Sequence, residues 1–317
     1  MRAVIQTGYG SADVMQLKEL EKPAPGDGEV LVRVRAVSFA AGDYFGMRGK
    51  PFPILFVIGF PRPKPDYVVG LDCAGTVEAV GPNVTRFHPG DEVYGQCHGS
   101  CAEYALGEEG GLAPKPPNLS FEQAAAVPTS ACTALQGLRD HGKVQPGSKV
   151  LINGASGGVG PFAVQIAKAL GAEVTGVCCT KNVEMVRSIG ADHVIDYTKQ
   201  DFTKGDVRYD VIMDNVASHS LSATRRVLTP TGVHIPSSGH AGMGWIIAAG
   251  VLAMFVRQQG APFIAATTSE SLLALNDLIE AGKVVPVVDR TFQLDETAGA
   301  FAYLDEGHAR GKVVVAI

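Results

Sequence analysis

The chain has 317 residues, 46% hydrophobic and 19% charged, with a formal net charge of −5. That length is too great for one ordinary core and points to two domains of a globular protein. With no positive field and no basic run it is not built to bind nucleic acid, and six cysteines in no secreted framework point to a reducing cytoplasm.

Met1-Arg2-Ala3-Val4-Ile5-Gln6 reads as a first strand, not as the apolar core of a signal peptide. Glu29–Val37 and Gly75–Gly81 alternate polar and apolar residues as half-buried strands do. His88-Pro89-Gly90-Asp91 marks a tight turn before another strand. Short strands between Pro and Gly turns predict a β-rich, barrel-like domain over 1–122. Cys97 and Cys101 have metal-ligand spacing with His98 between them, but no second pair follows, so two free thiols on a loop are expected.

Ser120-Phe121-Glu122-Gln123 reads as a capping box opening the helix Gln123–Ala126. Strands are then predicted at Val150–Asn153, Val174–Cys178, Val194–Tyr197, Asp210–Asn215 and Val233–Pro236, with helices at Gly158–Ala169, Val183–Ile189 and Leu221–Leu228. That alternation predicts an α/β domain with a parallel sheet over 123–268. The apolar segment Trp245–Val256 is too short to span a bilayer, which predicts a buried or interface helix and no membrane insertion. A helix Ser271–Ala281 and strands Val284–Val288 and Lys312–Ile317 are too few for a domain of their own. Residues 269–317 are therefore expected to return to the first domain.

The most informative stretch is Asn153-Gly154-Ala155-Ser156-Gly157-Gly158-Val159-Gly160, set between an apolar strand and an apolar helix. Glycines so spaced let the backbone turn tightly and approach a pyrophosphate, which the helix N-terminus then holds. Gly154, Ser156, Gly157, Gly158, Val159 and Gly160 are the predicted contacts. In NAD-selective sites an acid roughly twenty residues further on grips the ribose 2′-OH. Here the second strand runs into Thr180, Lys181 and Asn182, with no carboxylate among them. Lys181 with two hydrogen-bonding neighbours suits a 2′-phosphate, so NADPH is the expected cofactor. A solvated charge at a helix start is the other reading of Lys181.

With Val69-Gly70-Leu71-Asp72-Cys73-Ala74-Gly75, Phe87-His88-Pro89-Gly90-Asp91-Glu92-Val93, Ala124-Ala125-Ala126-Val127-Pro128, Gly190-Ala191-Asp192-His193-Val194-Ile195-Asp196-Tyr197 and Gly311-Lys312-Val313-Val314, the chain resembles the medium-chain dehydrogenase/reductase superfamily. The resemblance is greatest to its zinc-independent quinone-oxidoreductase branch. It implies a GroES-like β-rich catalytic domain and a Rossmann-type doubly wound domain. It also implies Tyr197 as a neighbour of the 2′-phosphate, Thr133 near the nicotinamide, Ser238 and Gly239 where the ring sits, and Lys312 near the cleft. A homodimer is a further family-level expectation.

No metal is expected. Zinc-dependent relatives carry Gly-His-Glu where this chain has Gly70-Leu71-Asp72, and the early cysteine ligand falls near Phe39–Ala40. Alcohol oxidation, which needs a Lewis acid, is then disfavoured, whereas a quinone or α,β-unsaturated carbonyl accepts hydride without one. Asn-Pro-x-Asp of the branch is Ala40-Ala41-Gly42-Asp43 here, so only Asp43 remains. Enoyl-thioester reductases place a proton-donating tyrosine at Phe52; Tyr44 is close by and either donates a proton or is a wall residue. The segment Met47–Phe60, with Trp245 and Phe255, either lines a hydrophobic acceptor pocket or makes an inter-domain or dimer contact. The reading is a cytoplasmic NADPH-dependent reductase; a non-catalytic NADPH-binding sensor or scaffold is the alternative.

Overall fold

The computed structural model describes residues 1–50, 55–237, 242–307 and 309–317, with backbone only at 56 and 57. Strands β1 (Arg2–Gln6) and β2 (Met15–Glu19) form an antiparallel pair. A larger sheet begins with β3 (Glu29–Ser38), whose Val30, Val32, Val34 and Val37 are buried at 0–2% exposure. β-Branched side chains favour this extended, half-buried surface. β4 (Asp72–Val80) and β6 (Tyr104–Glu108) pair with β3, β5 (Glu92–Gln96) pairs with β4, and β7 (Leu112–Pro114) with β5. The helix Phe121–Ala125 opens on the expected capping box, in which Ser120 Oγ accepts from the Gln123 amide at 3.2 Å.

The second unit is a five-stranded parallel sheet of β8 (Lys149–Asn153), β9 (Glu173–Cys178), β10 (His193–Asp196), β11 (Tyr209–Asp214) and β12 (Leu228–Pro236). Their order is β10-β9-β8-β11-β12. The chain winds outward from β8 on one side and resumes at β11 on the other. The carboxyl ends of β8 and β11 therefore border the topological switch point, where open α/β sheets bind ligands. The helix Gly160–Ala169 is buried from Gly160 through Ala167.

The chain returns to the first unit as β13 (Val288–Gln293) and β14 (Lys312–Ala316), and β14 pairs antiparallel with β3. The first unit comprises Met1–Thr129, Thr267–Glu280 and Pro286–Ile317; the second comprises Ser130–Ala266 and Ala281–Val285. Residues 123–129 thus stay with the first unit, because Ala124 and Ala125 are buried on a helix that packs against β3 and β4.

Two elements depart from expectation. The helix at Leu221 ends at Arg225 because Leu228 pairs with Tyr209 and starts edge strand β12, where Pro230 is tolerated. The strand expected over Val284–Val288 starts only at Val288; Val285 bonds to the Gln165 side chain and Pro286 lacks a donor. The apolar segment forms the helix Met243–Ala253, whose only buried residue is Ala249, while Ile247 and Val251 are 58% and 52% exposed. Among the described residues no helix is long and apolar enough to cross a membrane.

Candidate functional site

The glycine turn is built as its composition requires. Gly154 adopts φ +80°, and the Gly154 and Ala155 amides donate to Val177 O at 3.2 and 2.9 Å, tying the turn to β9. A Cβ on Gly160 would lie 2.2 Å from Gly154 O and 2.5 Å from the Ala155 carbonyl carbon, so no other residue fits. Val159 precedes the helix, and no side chain caps it. The first helical turn of Gly160–Ala169 therefore presents its dipole end to an anion.

Among the described residues, two buried polar atoms beside this turn have no partner: Asn182 Oδ1 and Asn215 Nδ2. Asn215 Cβ is 3.5 Å from where a Cβ on Gly154 would lie. Such orphans, with a glycine cradle that admits no side chain, fit a polar ligand held close to the backbone. Ser156 lies in the same turn, and its Oγ accepts from Asn182 Nδ2 at 2.9 Å. Asn182 was expected to meet a 2′-phosphate beside Lys181; instead it is buried and braces the turn. Gly157 and Gly158 complete the loop.

Thr180, Lys181 and Tyr197 meet at the carboxyl ends of β9 and β10, all exposed. Lys181 follows Thr180 in a short 3-10 turn, and the Tyr197 amide donates to Cys178 O at 3.0 Å. The second strand runs into Thr180–Asn182 without a carboxylate of its own, but the neighbouring strand supplies one. Asp196, the last residue of β10, faces Cys178 in register, and Thr180 Oγ1 donates to it at 2.6 Å. Hydrogen bonds from Thr180 and then Thr198 hold its carboxyl down to about 2.

At the switch point a buried cluster fixes the turn from below. Asp214 Oδ1 accepts from Asn153 Nδ2 at 2.8 Å and from the Val216 and Ala217 amides at 3.1 and 2.8 Å. His234 Nε2 lies 3.4 Å from Asp214 Oδ2, and His234 Nδ1 lies 3.1 Å from Gln259 Oε1. Burial opposes ionisation of Asp214, but His234 and these donors outweigh it and keep the carboxyl below its usual range. Sequence reading missed both residues, since a lone Asp and a lone His in apolar strands carry no spacing signal.

In the first unit three ionisable groups influence one another. Lys312 is 2% exposed and donates to Phe39 O at 2.7 Å; burial depresses its pKa, opposed by Asp72 and Asp43. Asp72, buried at the start of β4, accepts from Thr129 Oγ1 at 2.6 Å. Asp43 Oδ2 accepts from the Ala40 amide at 2.8 Å. Burial pushes the Asp43 carboxyl up to about 7; the charge of Asp72 adds to this, and Lys312 opposes it. Tyr44, on the helix Ala41–Arg48, donates its hydroxyl to Asp305 Oδ1 at 2.6 Å, and Arg48 donates to the same carboxylate. That carboxylate, more than burial, makes the phenol harder to ionise.

Thr133 is part-exposed on the helix Pro128–Leu135 of the second unit. Phe52, Ser238 and Gly239 lie outside the described residues. Trp245 sets its indole edge-on to His234 at 6.0 Å between ring centres, and Phe255 is 80% exposed. Cys97 and Cys101 are buried, with Cys97 beside Cys73 and the Cys101 thiol pushed up to about 12 by burial. Among the described residues no group of three or more His, Cys, Asp or Glu is placed to hold a metal ion.

Residues 26–137 match the family model of the alcohol dehydrogenase GroES-like domain, and 189–315 match that of the zinc-binding dehydrogenases. The chain is 35% identical to the 2-methylene-furan-3-one reductase of Solanum lycopersicum, over 99% of this chain and 79% of that protein. It is 34% identical to the chloroplastic NADPH-dependent alkenal/one oxidoreductase of Arabidopsis thaliana, over the same shares. The solved structure of a quinone oxidoreductase from Coxiella burnetii matches with a TM-score of 0.88 at 28% identity, covering 100% of this chain and 99% of that one. From the GroES-like first unit, the parallel-sheet second unit and these relatives, the chain belongs to the medium-chain dehydrogenase/reductase superfamily of oxidoreductases, in its quinone-oxidoreductase-like branch.

Proposed function

We propose that this protein is an NADPH-dependent reductase of quinones and α,β-unsaturated carbonyl compounds that works without zinc. The carrying observation is the glycine turn: a cradle closed to any side chain at Gly160, beside two buried amide atoms without partners among the described residues. Relatives that reduce a methylene-furanone and alkenals or alkenones support the acceptor class. Lys181, exposed at the end of β9, supports the 2′-phosphorylated cofactor.

When bound, the dinucleotide supplies hydride. Asn182 fixes Ser156 in the turn, while Asn153, the residue that enters the turn, is itself held by buried Asp214. An enone takes hydride at its β-carbon and a proton at its α-carbon; a quinone takes hydride and a proton to become a hydroquinone. Water suffices as the proton source; in the first unit, burial pushes the Asp43 carboxyl up to about 7. A cytoplasmic location belongs to the reading, supported by six cysteines that follow no secreted disulfide framework. So does a homodimer, supported by the exposed Ile247 and Val251 on one helix face.

The test is NADPH absorbance followed against a panel of quinones, enones, aldehydes and alcohols after treatment with a chelator. Quinones and enones should turn over undiminished. Tight NADPH binding without turnover on any acceptor would instead favour a sensor or scaffold.

A further inference from the structure

Strand β10 lies alongside β9 with Asp196 opposite Cys178, so the third strand delivers a carboxylate to the edge formed by Thr180 and Lys181. Its oxygens are fully engaged. Oδ2 accepts from Thr180 Oγ1 at 2.6 Å and lies 3.3 Å from Lys199 Nζ. Oδ1 accepts from the Thr198 amide at 3.0 Å and from Thr198 Oγ1 at 2.7 Å. A hollow of about 420 Å³ opens beside them, lined also by Val183, Glu184 and Arg187.

Two consequences follow for an anion reaching this edge. Thr180 has a single hydroxyl proton, and it points at Asp196, so the threonine cannot donate to a phosphate while that bond stands. Lys199 is partly neutralised by Asp196, and Arg187 is paired with Glu184 at 2.7 Å, which leaves Lys181 as the cation of this turn with no acid beside it in the ion pairs described. We propose that Asp196 determines the cofactor specificity of this protein, by restraining its preference for a 2′-phosphorylated dinucleotide over the unphosphorylated one. The inference rests on the glycine turn being the dinucleotide site. Like an acid at the end of the second strand it disfavours a 2′-phosphate, but its engaged oxygens do not grip the ribose 2′-hydroxyl, and it comes from the neighbouring strand.

Asp196→Asn separates charge from shape. The amide oxygen keeps the Thr198 bonds, while the amide nitrogen donates to Thr180 Oγ1 and frees the threonine proton. Lys199→Gln acts in the opposite sense by leaving the carboxylate unopposed. Calorimetric titration of the full chain at low salt with adenosine 2′,5′-bisphosphate and with adenosine 5′-monophosphate reads the effect without turnover. Asp196→Asn should tighten the bisphosphate about five- to tenfold, and Lys199→Gln should weaken it about threefold. Neither should move the monophosphate beyond about twofold, since its binding does not involve the second phosphate. Equal changes for both ligands, or none in either variant, would overturn the proposal. Should Asp196→Asn fail to fold, the Lys199→Gln result decides alone. Wild-type protein that binds neither NADPH nor NADH would sink the site reading itself, and this inference with it.

Discussion

Asp43 has a pKa of about 7, raised by burial from an ordinary value of 3.8. Between roughly pH 4 and 7 the folded chain keeps a proton that the unfolded chain has released. The group therefore costs stability as pH rises through that window. Asp43→Asn retains an acceptor for the Ala40 amide and removes the cost. Its melting temperature should match wild type near pH 4.5 and exceed it by a few degrees at pH 8, in paired thermal melts. A constant difference at both pH values would mean that Asp43 is ionised throughout. Tyr44→Phe tests a second expectation. Its hydroxyl is committed to Asp305, so enone turnover should fall less than about threefold and stability by about 0.5–1.5 kcal/mol. A loss of a hundredfold or more would restore Tyr44 as the proton donor.

The strand–turn–helix element can be dissected by adding one carbon at a time. On Gly160 a Cβ would strike Gly154 O and Ala155, whereas on Gly157 the nearest atom is Gly154 O at 3.8 Å. Gly160→Ala should cost about 1–3 kcal/mol of stability and abolish NADPH binding, while Gly157→Ala should leave the melt unchanged and weaken binding. Fluorescence titration alongside thermal melts separates the two; Gly157→Ala binding as wild type would mean that no ligand approaches there. The turn was legible in the sequence because an apolar strand, glycines and an apolar helix follow one another along the chain. Asp196 was not, because its effect depends on which strand lies beside β9 and in what register. The Asp43, Asp72 and Lys312 group was no more legible as a group, since its members come from three distant segments joined only by folding. Helix and strand ends slipped where a tertiary partner decided them, as Leu228 did by pairing with Tyr209 and Val285 by bonding to Gln165.

For the whole molecule, cofactor binding and folding are linked. NADPH at about one hundred times its dissociation constant should add about 2.7 kcal/mol to stability, read as a rise in melting temperature. If the exposed helix face at Ile247 and Val251 is shared between two copies, Ile247→Lys with Val251→Lys should yield monomers by light scattering; wild-type protein that is monomeric at every concentration would remove the dimer. The central claim, that hydride passes to the β-carbon of an activated alkene, is tested most directly by isotope tracing. With NADPH carrying deuterium at the transferred position and an enone as acceptor, mass spectrometry should find one deuterium on the β-carbon of a saturated ketone, with the α-hydrogen drawn from solvent. Deuterium on the carbonyl carbon, in an allylic alcohol, would contradict the claim and place the chemistry with the alcohol dehydrogenases.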